Sequence, residues 1–394
     1  MSQTITGKDP ATGRSLLLHL EGGCIASIRP GPKDELAWLT PGLIDLQVNG
    51  YAGHDLNGDV LAPETVIALA AQLSRHGVTT FVPTLITSPE EKIIAKLRAI
   101  AVARARDPLT AYMIPYAHIE GPALAESDGP RGAHPREHVR APDMAEFDRW
   151  QRACGGLVGM VTLSPHWDGT RMYVEHLVAR GVHVCIGHTD ATPEQVVTAV
   201  DAGASMSTHL GNGAHTSLHR HRNCLWTQLA EDRLHASFIV DGHHLPADAL
   251  NVMLRSKSIQ RSVLVSDVTS MGGLPPGNHL SSIGGLVSLS PDGRLQLAGT
   301  DYLAGSATLL GTCVARAVRL ARLSLADAIA MATVNPGRFV HGRGVMRVGA
   351  RADVIRFHWQ PGADSIQIDG AWVAGGDVMD RRDKAMPPVS LTAG

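Results

Sequence analysis

The stretch VHVCIGHTDATPEQVVTAVDAGASMSTHLGN, residues 182–212, contains one complete strand–helix–strand unit. An apolar run from Val182 ends on His188. A segment of helical periodicity follows, with Pro193 and Glu194 in its first turn and Gly203 at its close, as helix-end chemistry prefers. A second apolar run then ends on His209. Strands alternating with helices make a parallel sheet with crossover helices. In such sheets ligands bind at the C-terminal strand ends, so the two imidazoles are expected at one edge of one sheet.

The rhythm extends in both directions. Apolar runs occur at 43–47, 79–84, 112–120, 157–163, 182–188, 204–210, 235–241 and 262–267, with helical patterns at 63–77, 89–100, 170–181, 192–203 and 245–257. Eight runs are what closes a (β/α)8 TIM-type barrel, a fold of the α/β class. Several end on or beside a polar residue: Gln47, Glu120, His188, His209, Asp241 and Asp267. An open doubly wound sheet is the competing architecture. No GxGxxG follows the first runs, and polar residues spread over so many strands favour the barrel. After the eighth run, 304–321 and 325–335 read as two helices. Short strands are read at 15–32, around Gly22-Gly23, and again at 349–359 and 365–376. Residues 1–40 and 350–380 are thus expected to form a small β-sandwich domain beside a barrel of 41–349, with 381–394 as a flexible tail.

Four strand ends carry the chemistry. Glu120 in AHIEGP could ligate a metal or act as a general base. Neutral imidazole is the commonest metal ligand, and zinc sites combine it with carboxylate, which suits His188 and His209. Asp267 in LVSDVT could take a proton from a metal-activated water and later hand it to a leaving amine. Each residue alone has a plainer use, as helix cap or core filler. Together, at equivalent strand ends, they describe a metal-assisted hydrolase. The HExxH string of the zincins is absent. Asp241–His244 and Arg131–His134 lie in loops on the same face, and residues 215–222 form a basic cluster suited to a phosphate or carboxylate.

Composition excludes other classes. The formal charge of −2 offers no electrostatic case for nucleic acid or an anionic membrane. Five widely spaced cysteines without a CxxC pair argue against a disulfide framework and a zinc ribbon, and fit reduced thiols in a cytoplasm. No apolar h-region opens the sequence and no run of 18 apolar residues occurs, so neither a secretory signal nor a membrane span is expected.

The strings PGLIDLQVNGYAG, HIEGP, RGAHP, GHTDA, THLGN, DGHHLP, LVSDVT, LAGSA and MATVNPGRFV, in that order, resemble the N-acetylglucosamine-6-phosphate deacetylases of the amidohydrolase superfamily. The resemblance implies one divalent ion per chain, zinc or iron, held by Glu120, His188 and His209, with Asp267 as general base and then acid. It implies substrate contacts from His134, Asn212 and His244, and a homodimer in which a basic residue of one subunit reaches the other's phosphate site. Many amidohydrolases carry HxH after the first strand for a second metal. Here Gln47-Val48-Asn49 stands in that place, which points to a single-metal site with the two amides turned to other contacts, the substrate among them. That substitution argues against a cyclic-amide hydrolase of the dihydroorotase or hydantoinase type. A metal-free binding protein on this scaffold should have lost the ligands, which this chain keeps. The loop NGAHTSLHRHRN, residues 212–223, departs from the family's pattern. Arg220 falls at the spacing of the family's phosphate arginine, with Arg222 as a second possibility. A different epimer or an unphosphorylated sugar therefore stays open.

Overall fold

The structure, a computed structural model, describes residues 2–379. The tail expected at 381–394 lies outside the described residues. Eight parallel strands form the central sheet: β1 (Leu43–Val48), β2 (Val78–Ile86), β3 (Ala117–Glu120), β4 (Val158–Leu163), β5 (His183–Ile186), β6 (Met206–Ser207), β7 (His235–Ile239) and β8 (Ser262–Val265). Each pairs with the next in sequence order. The ring closes where Asp267 N donates to Gln47 O at 3.1 Å and Val48 bridges Val268 in parallel. All eight apolar runs thus enter one barrel.

Six runs are shorter in the fold than in the sequence, and two lose more than half their length. Residues 112–120 were expected as one strand, but Pro108–Met113 is a helix. Pro108 sits in its first turn and the Asp107 carboxylate accepts the Thr110 N–H at 2.7 Å, so local cap chemistry claims Tyr112 and Met113 at the front of the run. In the run 204–210 only Met206–Ser207 stays in the ladder, because the chain turns at His209 into a left-handed backbone conformation. The crossover helices fall where the periodicity places them, including Pro63–Arg75, Glu90–Arg106, Thr170–Val178, Pro193–Asp201 and Ala247–Lys257.

One element was not expected. Between Asp267 and the helix Leu310–Ala321 the chain makes an antiparallel sheet of Gly277–Ser281, Gly285–Leu289 and Leu295–Leu297. Its turns are GG and SPDG, both standard hairpin punctuation. At the chain ends, Gln3–Lys8, Ser15–Glu21, Cys24–Pro30 and Trp38–Pro41 join Val354–His358, Gln367–Val373 and Gly376–Asp377 in one seven-stranded sheet. Trp38–Pro41 pairs antiparallel with Val354–His358, tying the two termini together. Leu18, Leu20, Ile25, Leu39, Val354 and Trp372 build its apolar face.

Asp45 holds the barrel seam. It is buried, and its Oδ1 accepts the N–H groups of Gln47 at 3.3 Å and Ser266 at 3.2 Å. Burial pushes its carboxyl up to about 6 from an ordinary 3.8. The folded protein keeps this proton to higher pH than the unfolded chain does. The group's contribution to stability is therefore full below 3.8 and lost as pH rises through about 6. Asp45→Asn keeps an acceptor oxygen without the charge, so its Tm is expected to climb relative to wild type across that window and then level off. Asp45→Ala leaves both N–H groups without their acceptor and is expected to cost about 1–3 kcal/mol in denaturant titrations.

Candidate active site

The C-terminal ends of the strands surround a cavity of about 250 Å³. Glu120, the last residue of β3, is only 3 % exposed and lies at its floor. His209 Nε2 is 2.9 Å from Glu120 Oε1 and His188 Nε2 is 3.3 Å from the same oxygen. His134 Nε2 faces Oε2 at 4.0 Å. Gln47 Nε2 donates to Oε1 at 3.1 Å. A carboxylate this deep would ordinarily take up a proton. Burial does push its pKa upward, but the hydrogen bonds and charges of His188 and His209 outweigh burial and hold it well below the carboxylate range.

The imidazoles are set by partners outside the cluster. His188 Nδ1 donates to the Pro130 carbonyl at 2.7 Å, which turns Nε2 toward Glu120. His134 Nδ1 bonds the Thr87 hydroxyl at 3.0 Å, so its Nε2 also faces the cavity. Burial, with His188 beside it, pushes His134 down to about 3, and burial lowers His209 as well. His209 is anchored through its backbone N–H to Ser237 Oγ at 2.7 Å, while its buried Nδ1 has no partner among the described residues.

Asp267 stands across the cavity. Asn49 Nδ2 donates to its Oδ1 at 2.8 Å. Burial and then the Glu120 charge raise its pKa well above the usual carboxylate value, against the lowering effect of Asn49. His188, His209 and Asp267 all have left-handed backbone, with φ of 48°, 32° and 50°. Such a conformation costs a non-glycine residue on the order of 1 kcal/mol, and it turns each side chain off its strand end toward the centre.

His244 lines the cavity too, its Nδ1 held by Asp241 Oδ2 at 2.7 Å. Burial opposes the Asp241 charge, and the His244 contact overrides burial to keep that carboxyl ionised. Asn212 lines the wall. Gln47 is absent from the cavity lining and acts on Glu120 instead. Arg220 lies exposed on the loop 212–223, outside the lining, and Arg222 pairs with Glu194 at 2.6 Å. No Lys or Arg lines the cavity among the described residues. The sequence reading missed Thr87 and Asn57, and it missed Ile283, Asp301, Tyr302 and Leu303, which the antiparallel excursion brings to the cavity mouth. The GG and SPDG turns were the available signals for that excursion.

A metal ion fits this donor set. The donor atoms of Glu120, His134 and His188 all lie within 4.8 Å of one another, and His209 is nearer still to Glu120. A buried anion faced by His134 and His209, both of which burial pushes toward neutrality, suits a divalent cation.

A barrel with carboxylate and imidazoles gathered at its C-terminal rim is the architecture of a metal-site hydrolase. Residues 38–378 match the amidohydrolase family, and the chain belongs to it; it is an enzyme of amide hydrolysis. It is 30% identical over 371 residues to an N-acetylgalactosamine-6-phosphate deacetylase of Escherichia coli, covering 91% of this chain and 93% of that one. It is 31% identical over 367 residues to the N-acetylglucosamine-6-phosphate deacetylase of Bos taurus, covering 90% and 83%. The crystal structure of the N-acetyl-D-glucosamine-6-phosphate deacetylase of Mycobacterium smegmatis superimposes with a TM-score of 0.82 at 28% identity, over 93% of this chain and 96% of that one.

Metal-stripped protein is expected to gain thermal stability when Zn²⁺ is restored, by about 2.7 kcal/mol at 100 times the dissociation constant. Glu120→Gln should abolish that shift in differential scanning fluorimetry. A full shift in the variant would place the binding elsewhere.

Proposed function

We propose that this enzyme hydrolyses the acetamide of an N-acetylamino sugar phosphate, converting N-acetylglucosamine-6-phosphate to glucosamine-6-phosphate and acetate. One divalent ion, zinc or alternatively iron, is held by Glu120, His188 and His209. His188 and His209 both address Glu120 Oε1, whereas His134 faces Oε2 from farther away, which leaves His134 for the substrate. The observation that carries the reading is the convergence of these groups with Asp267 on one cavity. No helix among the described residues is long and apolar enough to cross a membrane, and the described cysteines are all free, which fits a cytoplasmic enzyme.

When bound, the ion supplies Lewis-acid polarisation of the carbonyl and a lowered pKa for water. Asp267 removes the proton from the attacking water through its free carboxylate oxygen, and Asn49 steadies the other. His134 and His244, each fixed at Nδ1, offer Nε2 to the acetamide and the sugar. Asp267 then returns its proton to the departing amine, completing the transfer from water to nitrogen. Among the described residues, no Lys or Arg lines the cavity to meet the phosphate. It is left to Arg220, delivered by movement of its loop or from the second subunit of a homodimer.

A galactosamine epimer is the second reading, favoured by the near full-length similarity to the Escherichia coli enzyme. Acetate release from the two 6-phosphates and their unphosphorylated sugars, measured side by side, decides among them. Asp267→Asn is expected to retain metal and lose about 10²–10⁴ in kcat. Turnover near wild type in that variant would remove Asp267 from the mechanism. Arg220→Ala should raise KM for the phosphorylated sugar and leave the unphosphorylated one unchanged. Equal effects on both would break the assignment of the phosphate to Arg220.

A further inference from the structure

Asn57 takes no part in the steps above, yet it is buried and fully engaged. Its backbone N–H donates to Asp55 Oδ1 at 2.7 Å, and its carbonyl accepts the buried Lys96 ammonium at 3.0 Å. Its side-chain Nδ2 donates to the Thr84 carbonyl at 3.0 Å and to Asn49 Oδ1 at 3.3 Å, while its Oδ1 accepts the Ile86 N–H at 2.9 Å. A backbone carbonyl only accepts and an N–H only donates, so this amide has one satisfied orientation. The orientation is handed on. Asn49 Oδ1 meets a donor, so Asn49 Nδ2 is the atom turned to Asp267 Oδ1.

We infer that Asn57 is a positioning residue that locks the Asn49 amide so that Asp267 always meets an N–H on Oδ1 and keeps Oδ2 for the proton it moves. Asp267 Oδ2 has no hydrogen-bond partner among the described residues, whereas Oδ1 has Asn49. Without Asn57 the Asn49 amide can turn over. Its carbonyl then faces the carboxylate, repels the ionised form and favours the protonated acid, which donates instead of accepting. The proton acceptor is lost from part of the population. The groups assigned to the substrate, His134 and His244, are anchored by Thr87 and Asp241 and do not change. The inference rests on the reading of Asp267 as the proton-moving group.

The test is a double-mutant cycle on the metal-loaded enzyme with Asn57→Ala, Asn49→Ala and the pair, alongside Asp267→Asn. Asn57→Ala should lower kcat about tenfold to a hundredfold, with KM within about twofold and metal content unchanged, as for other residues that orient a catalytic group. The pair should be no slower than Asn49→Ala alone, since Asn57 acts only through Asn49. Asn57→Asp keeps the shape and the acceptor for Ile86 but gives Asn49 no donor, and it carries the kcat and KM comparison should Asn57→Ala not fold. Unchanged kcat, or losses that multiply in the pair, overturns the inference while leaving Asp267 in place. An active Asp267→Asn overturns the reading beneath it.

Discussion

The site depends on one buried negative charge. Glu120 sits at the end of β3, removed from water, and a carboxylate there is costly unless paired. His188, His209 and Gln47 converge on its Oε1, and His134 covers Oε2 from 4.0 Å. Those residues come from β1, from the turns just past β5 and β6, and from the loop after β3. Their meeting requires the ring to close, which the β1–β8 seam at Asp45, Gln47 and Ser266 provides. Architecture and chemistry share the same residues: Gln47 lends its backbone to the seam and its side chain to the carboxylate.

Gln47 and Asn49 bear directly on the proposal of a single-metal site. Each amide donates to one carboxylate, Gln47 to Glu120 and Asn49 to Asp267. A donor N–H does part of what a second cation does, stabilising the ionised form, without competing for the first ion. An amide has two faces of opposite polarity, though, and a cation does not. The substitution works only if something decides which face is presented, and the fixed amide of Asn57 does so for Asn49.

The barrel was legible because the signal is redundant: eight apolar runs and their helices each had a chance to show the period, so misreading the front of 112–120 as strand did not change the strand count. The site was legible in its strand-end residues, since the end of a run can be seen in sequence. What stayed hidden lies off the strands. Thr87, Asn57, Ile283 and residues 301–303 are ordinary residues between strands whose value comes from what they touch, and touching is decided by chain paths that periodicity does not describe. The left-handed backbone at His188, His209 and Asp267 had no sequence signature either, because none is glycine.

The residues at the cavity mouth bear on substrate choice. Ile283, Asp301, Tyr302 and Leu303 come from the excursion, and Gly211 to Ala214 from the loop after β6. The floor is built from residues at or just past strand ends. The mouth is built from loops that add apolar walls and one carboxylate, with no cation among the described residues. The contact proposed for Arg220 would give an anionic substituent at the mouth the counter-charge that the described lining lacks. The floor commits the enzyme to acyl-amide hydrolysis, whereas the sugar and its phosphate are judged at the mouth, where loop sequence is free to vary without disturbing Glu120.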